Sequence, residues 1–213
     1  MTYVLYYAPG AASLAVHWML VELAVPFELA LVDLDASAQD AAAYRALNAS
    51  GRVPTLVIDG KPYAESAALL MLLAERHPEA NLAPPAGSPE RAGWMSDMIY
   101  LANTLLPAFR DWFYAEKDGC PADADAVKPL ARTRIEGVWD RLDMQLSDGR
   151  THLLGATLTT VDLLATMLMR WSRNMPRPAT TWPNVNRYIT RMRALPSFIE
   201  ICDREGLSEW RNP

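Results

Sequence analysis

Two cysteines, Cys120 and Cys202, and three histidines are all that 213 residues hold of the usual covalent and metal-binding side chains. No C-x-x-C and no His/Cys cluster at zinc spacing can be drawn from them, which excludes a disulfide framework and a structural zinc, and no metal site is expected. A basic excess is missing too: 20 Lys and Arg face 25 Asp and Glu, a net charge of −5. Binding to phosphate backbones needs a basic footprint, so nucleic acid is not an expected partner. No uninterrupted apolar run approaches the ~18 residues of a membrane span, and no membrane partner is expected. The opening Met1-Thr2-Tyr3-Val4-Leu5-Tyr6-Tyr7 lacks a basic stretch and meets Pro9-Gly10 at once, so it is read as a strand and not as a signal peptide. Lone cysteines suit a reducing compartment, and the expected location is cytoplasmic.

What is present is enough apolar material, 51% of the chain, to fill a sizeable core. Size scaling for this length buries about 70% of the extended chain's surface. The charge is unevenly split: residues 1–80 hold 4 basic and 9 acidic side chains, and residues 81–213 hold 16 of each. The pattern changes at the same place, from short β-like runs alternating with helical ones to helical periodicity alone. Between them, residues 78–89 carry four prolines and read as a semi-rigid linker. The expected organisation is therefore a first domain over 1–80, a linker over 81–89 and an all-helical domain over 90–213.

In the first domain, Tyr3 to Tyr7 reads as a buried strand. Ser13 is a plausible N-cap for a helix to Leu23, with Leu14, Trp18 and Val21 on one face. Phe27 to Val32 reads as a second strand and Gln39 to Leu47 as a short helix. Thr55 to Ile58 and Lys61 to Tyr63 flank Asp59-Gly60, a strong hairpin signal, and Ser66 to Arg76 reads as a third helix. The order β-α-β-α-β-β-α demands a mixed four-stranded sheet, with a parallel crossover first and an antiparallel hairpin last, which is the thioredoxin-like topology. In the second domain a long helix is expected from Glu90 to about Glu116, kinked at Pro107. Another is expected over Ala126 to Leu146. Thr159-Thr160-Val161-Asp162 fits a capping pattern opening a helix apolar nearly all round, expected at the centre of the bundle. Two shorter helices, near Asn184 to Ala194 and Ser197 to Gly206, end the chain.

Four stretches together resemble the cytosolic glutathione S-transferases, most closely their bacterial beta type. Tyr6-Tyr7-Ala8-Pro9-Gly10-Ala11-Ala12-Ser13-Leu14 resembles the strand-to-helix loop. Asn48-Ala49-Ser50-Gly51-Arg52-Val53-Pro54-Thr55-Leu56 resembles the cis-proline loop, and Tyr63-Ala64-Glu65-Ser66-Ala67-Ala68-Leu69 the Glu-Ser motif. Gly155 to Asp162 resembles the cap of the sixth helix. The stretches stand in family order and span about three quarters of the chain.

The resemblance implies a transferase of the detoxification type, with glutathione as co-substrate, a small hydrophobic electrophile as second substrate and a homodimeric assembly. Val53, ahead of a cis Pro54, is implied to pair like a strand with the cysteinyl part of the tripeptide. Ser66, at a helix start, would hold the γ-glutamyl carboxylate with the helix amides, since a helix N-terminus is an anion site. Glu65 would meet the ligand's ammonium, and Arg52 would take the glycyl carboxylate in a fork. Catalysis is thiol activation: a free thiol of pKa ~8.5 is only about 3% thiolate at pH 7. Tyr7 and Ser13 are the two hydroxyl candidates for stabilising the anion, Ser13 with help from a helix dipole. Two departures stand out. The beta-type cysteine is replaced by Ala12, which removes a mixed disulfide with glutathione. No histidine occurs in the fourth helix, so the electrophile pocket is expected to be aromatic and apolar, formed by Tyr100, Trp112, Tyr114 and Trp171. A glutathione-dependent isomerase or reductase, and a non-catalytic binding module of the same shape, are the alternatives.

Overall fold

The computed structural model of the chain describes residues 2–118 and 121–211, and Cys120 lies outside them. The chain divides into two compact units, one of Met1–Ala83 with Arg193–Pro213 and one of Pro84–Met192. The last residues were expected in the helical domain but group with the first unit. Among the described residues, no helix is long and apolar enough to cross a membrane.

The first unit is built on a four-stranded sheet in the order β2-β1-β3-β4. Strand β1 (Tyr3–Tyr7) pairs in parallel with β2 (Glu28–Leu31) and antiparallel with β3 (Thr55–Ile58), which pairs antiparallel with β4 (Lys61–Ala64). The crossover between β1 and β2 is helix α1 (Leu14–Glu22). Asp59 and Gly60 turn the hairpin at φ of 48° and 82°. Positive φ at both central residues matches the right-handed twist of the strands, which is why Asp-Gly serves there. A four-residue helix α2 (Ala42–Arg45) follows a 3₁₀ turn at Ala38–Asp40, shorter than the expected Gln39 to Leu47, and α3 spans Ser66–Arg76. Alternation along β1 divides the core. Tyr3 and Leu5 are buried on one face, and Tyr6 packs on the other, with Tyr44 of α2, Val32, Ala8 and Val53.

Helix α1 is buried at every residue from Leu14 to Leu20, His17 included, where one apolar face was expected. A helix so enclosed needs cover on several sides. Part of it comes from α9 (Pro196–Glu205), where the Trp18 indole donates to Ser197 Oγ at 2.9 Å and meets Phe198 edge-on at 5.0 Å. That packing explains why the chain end belongs to the first unit.

The second unit is helical. Helix α4 (Glu90–Tyr100) and helix α5 (Leu106–Asp118) are joined through a π turn at Leu101–Leu105. Pro107 has no N–H to give the preceding turn, so the expected kink takes the form of a widened turn just before it. Tyr114 adds a second irregularity, with φ −121° and ψ 16°. Helix α6 covers Ala124–Gln145, and α8 covers Pro183–Arg193. Helix α7 (Thr160–Trp171) is buried from Thr160 through Arg170, as its all-round apolar sequence requires. The expected cap is in place: Asp162 accepts from the Thr159 amide at 2.8 Å and hydroxyl at 3.1 Å. Asp162 also accepts from the Leu153 amide at 2.8 Å and the Tyr188 hydroxyl at 3.0 Å. Burial pushes the Asp162 carboxyl above the usual aspartate range, while these donors pull against it.

Candidate functional site

Three segments of the first unit meet around one another: the loop from Ala8 to Ser13, the loop before β3, and the start of α3. The first two are held by side-chain hydrogen bonds, and the start of α3 is tied to the first by its own Ser66.

The loop before β3 contains the expected cis peptide between Val53 and Pro54. Its approach is fixed by Tyr44 and Asn48. The Tyr44 hydroxyl donates to Arg52 O at 2.8 Å, and Asn48 Nδ2 donates to the same carbonyl at 2.8 Å and to Thr55 Oγ1 at 3.1 Å. Asn48 Oδ1 accepts from the Ser50 amide and hydroxyl at 3.1 and 2.7 Å. Burial raises the Tyr44 hydroxyl above its usual range, with the Thr55 and Asn48 hydrogen bonds opposing, so it stays a proton donor. Gly51 sits at φ +61°, and a Cβ there would come 3.1 Å from Gln39 O. With the Arg52 carbonyl occupied, the amide and carbonyl of Val53 have no hydrogen-bond partner among the described residues. The Arg52 side chain is exposed, without an ion-pair partner among those residues.

Helix α3 opens at Ser66, directly after Glu65, whose backbone sits at φ 71° and ψ 106°. A glutamate in the left-handed half of conformational space is strained, and such strain concentrates at functional sites. The Glu65 side chain adds no cap to the helix, and the residue is exposed. Ser66 is 5% exposed, and its hydroxyl donates to Ala12 O at 2.9 Å, tying the helix start to the first loop.

In that first loop the structure places Ser13 differently from a sulfur donor. Ser13 is fully buried; its Oγ accepts from the Ala8 amide and donates to the Ala8 carbonyl, both at 3.1 Å. It makes no side-chain cap for α1 either, because its φ and ψ are already helical at −72° and −20°. The hydroxyl closes the loop from inside. Tyr7 is partly exposed, its ring meets His17 edge-on at 5.5 Å, and its hydroxyl has no partner among the described residues. The Ala12 amide is likewise without a partner there, on a partly exposed residue.

The four aromatic residues expected to form one pocket all lie in the second unit but stand apart in role. Trp112 and Tyr114, two positions apart on α5, point to different sides of that helix. Trp112 lines a hollow of about 260 Å³ with Asp125, Lys128, Pro129 and Arg132 of α6. Tyr114 lies beneath the Arg110 guanidinium at 4.7 Å, and Tyr100 beneath that of Arg141 at 3.8 Å. Trp171 packs edge-on against Phe109 at 5.7 Å and Phe113 at 6.5 Å. Phe113 is 49% exposed and was passed over in the sequence, where a lone phenylalanine on an amphipathic helix carries no distinguishing signal. Tyr44 and Asn48 were also passed over. Asn48 followed by Ser50 has the spacing of an Asx turn, which is the cue that could have found it.

Comparison with known proteins bears on this geometry. The glutathione S-transferase N-terminal domain model matches residues 11–76, and the C-terminal domain model matches residues 103–196. A glutathione S-transferase of Xanthomonas campestris pv. campestris is 30% identical over 96% of this chain and 99% of its own length. The chain belongs to the glutathione S-transferase family. Among solved structures, the transferase is similar to a bacterial beta class enzyme of Sphingomonas chungbukensis, at 30% identity and TM-score 0.84 over 96% of this chain and 99% of that one. A sphingomonad transferase solved in complex with glutathione is 29% identical, with TM-score 0.84 over 96% and 100% of the two chains.

Proposed function

We propose that this transferase binds glutathione on its first unit and joins the thiolate to a small hydrophobic electrophile. The observation that carries the reading is the pair of uncommitted Val53 backbone groups beside a cis peptide, next to the start of α3. A tripeptide of glutathione's shape needs backbone pairing at its centre and donors for a carboxylate at one end. Val53 supplies the pairing, and the first amides of α3 with Ser66 supply the donors. Glu65 takes the ammonium and Arg52 the glycyl carboxylate, both being exposed residues beside those two segments.

With Ser13 committed to Ala8, the donors left for sulfur are the Tyr7 hydroxyl and the Ala12 amide. Lowering a thiol pKa by two units takes about 2.7 kcal/mol of preference for the anion. A hydrogen bond to a charged group contributes about 1.5–3 kcal/mol, so two donors suffice. The electrophile meets Trp171 and Phe113, whose rings pack edge-on and form one partly exposed aromatic surface of the second unit. The assembly is a homodimer in the cytoplasm, a mass of two chains by light scattering being the check. Calorimetric titration with glutathione tests the whole reading: saturable binding at millimolar ligand is expected, and none would end it. Conjugation must consume glutathione stoichiometrically, whereas turnover without net consumption would point to the isomerase alternative.

A further inference from the structure

The sheet of the first unit has two edges, β2 and β4, and they are guarded differently. Strand β4 opens with Lys61 and Pro62, a charge and a missing N–H of the kind that keep an edge from pairing. Strand β2 reads Glu28-Leu29-Ala30-Leu31 and has neither. Leu29 is 39% exposed and Leu31 62%, with Leu34 at 37% just beyond the strand. Their register, Leu29 beside Leu5 and Leu31 beside Tyr7, puts both strand leucines on one face. The Val32 amide donates to Tyr7 O at 2.8 Å. Alternate residues of a parallel ladder turn toward the neighbour, so Ala30 and Glu28 face β1 as Val32 does. The N–H and C=O of Leu29 and Leu31 therefore point out of the sheet, where no described residue meets them. Outward backbone groups beside a row of leucines form a template for one added strand.

The charge around the edge decides what that strand carries. No lysine or arginine precedes Arg45 in the chain, whereas Glu22, Glu28, Asp33, Asp35 and Asp40 do. Asp40 is paired with Arg45 at 2.6 Å. Glu28, Asp33 and Asp35 are exposed and have no ion-pair partner among the described residues. Arg204 of α9 reaches the Phe27 ring at 5.6 Å, but Glu200 holds it at 2.6 Å. A second copy added edge to edge would set these carboxylates against their own kind, and like charges on facing strands are destabilising. A cationic strand meets attraction at the same places. We propose that the β2 edge docks an extended segment of another protein, apolar at alternate positions and carrying lysine or arginine at both ends. This docking requires no glutathione.

The test titrates the full chain with the acetylated, amidated peptide KKVTVTVKK and with EEVTVTVEE, which keeps the strand pattern and reverses the charge. Binding is read by fluorescence anisotropy of the labelled peptide and by amide hydrogen exchange of the protein. Saturable binding of the lysine peptide is expected, with exchange at Leu29 and Leu31 slowed about tenfold and the glutamate peptide bound at least about tenfold more weakly. Leu31→Pro removes an outward N–H without breaking a bond to β1, and Leu31→Lys sets a cation in the leucine row. Each is expected to weaken the lysine peptide about tenfold, and Leu31→Lys decides the matter if the proline variant does not fold. No binding at millimolar lysine peptide, equal binding of the two peptides, or binding that neither Leu31 variant weakens would overturn the proposal. So would a dimer in light scattering that Leu31→Lys dissolves, because a second copy would then hold the edge.

Discussion

Each unit of this transferase buries a carboxyl group that gathers backbone and side-chain donors, and the two do so at different ranges. Asp162 in the second unit takes its partners from Leu153, Thr159 and Tyr188, none more than 26 residues away. Glu205 in the first unit reaches Gly10 and His17 across 195 and 188 residues. The first group fixes where a helix begins. The second fixes a loop between a strand and a helix that were formed without it. A local carboxylate therefore stabilises an element, whereas a distant one stabilises the placement of an element.

The sharpest way to break this contrast is Asp162→Ala. It leaves the Leu153 and Thr159 amides and the Tyr188 hydroxyl without their acceptor inside the core, and a loss of about 3–5 kcal/mol is expected in denaturant unfolding. A loss below about 1 kcal/mol would show that the donors find other partners. The pH dependence carries a definite sign. Burial raises the folded-state pKa of Asp162 above its ordinary 3.8, so the protonated group favours folding. That increment is complete below 3.8 and is lost as pH climbs through the raised value. Asp162→Asn should lack this decline.

The loop of the first unit is next. Ser13→Ala orphans the buried Ala8 amide and should cost about 1–3 kcal/mol of stability, yet leave bound glutathione as ionised as in the wild type. Tyr7→Phe should do the reverse, changing stability by less than about 1 kcal/mol while lowering the thiolate absorbance. If Ser13→Ala abolishes that absorbance with little change in stability, the assignment of the two hydroxyls is inverted.

A gain is expected at Glu65. Replacing it by glycine relieves backbone strain at φ 71° and should stabilise the free protein by about 1 kcal/mol, while weakening glutathione binding through loss of the carboxylate. Stabilisation without weaker binding would remove Glu65 from the site.

The smallest effect belongs to the surface of the second unit. Hydrogen bonding to the Arg150 side chain, with the Arg150 amide adding to it, lowers the Asp148 carboxyl to about 2. Its contribution to stability is present above the ordinary value of 3.8 and should fade as pH falls through about 2. An NMR titration of the Asp148 side-chain carbonyl gives its midpoint, and a value near 3.8 would show that solvent has dissolved the pair.

What could be read beforehand follows the same division by range. The hairpin at Asp59-Gly60, the helix start at Ser66 and the cap from Thr159 to Asp162 were legible because each depends on neighbours a few residues apart. The cis proline was legible by resemblance, since Val-Pro alone does not distinguish its isomers. Ser13 misled because a serine ahead of an apolar run usually caps the helix. Here the backbone turns helical before it, and the hydroxyl faces Ala8 instead. Trp112, Tyr114 and Trp171 were grouped by type, and the faces they occupy depend on the turn widened ahead of Pro107 and on the packing around α7.

The amino-acid order by itself determined the β-α-β-α-β-β-α course of the first unit, the helical nature of the second and the two segments that flank the cis proline. Hydrophobic period, turn chemistry and capping act within a few residues, and they suffice for that. Only the tertiary structure decided that the chain's end returns to cover α1, that Ser13 turns inward, and that Glu205 grips Gly10. Those outcomes rest on burial, which is a property of what lies across the fold and is written at no single position along the chain.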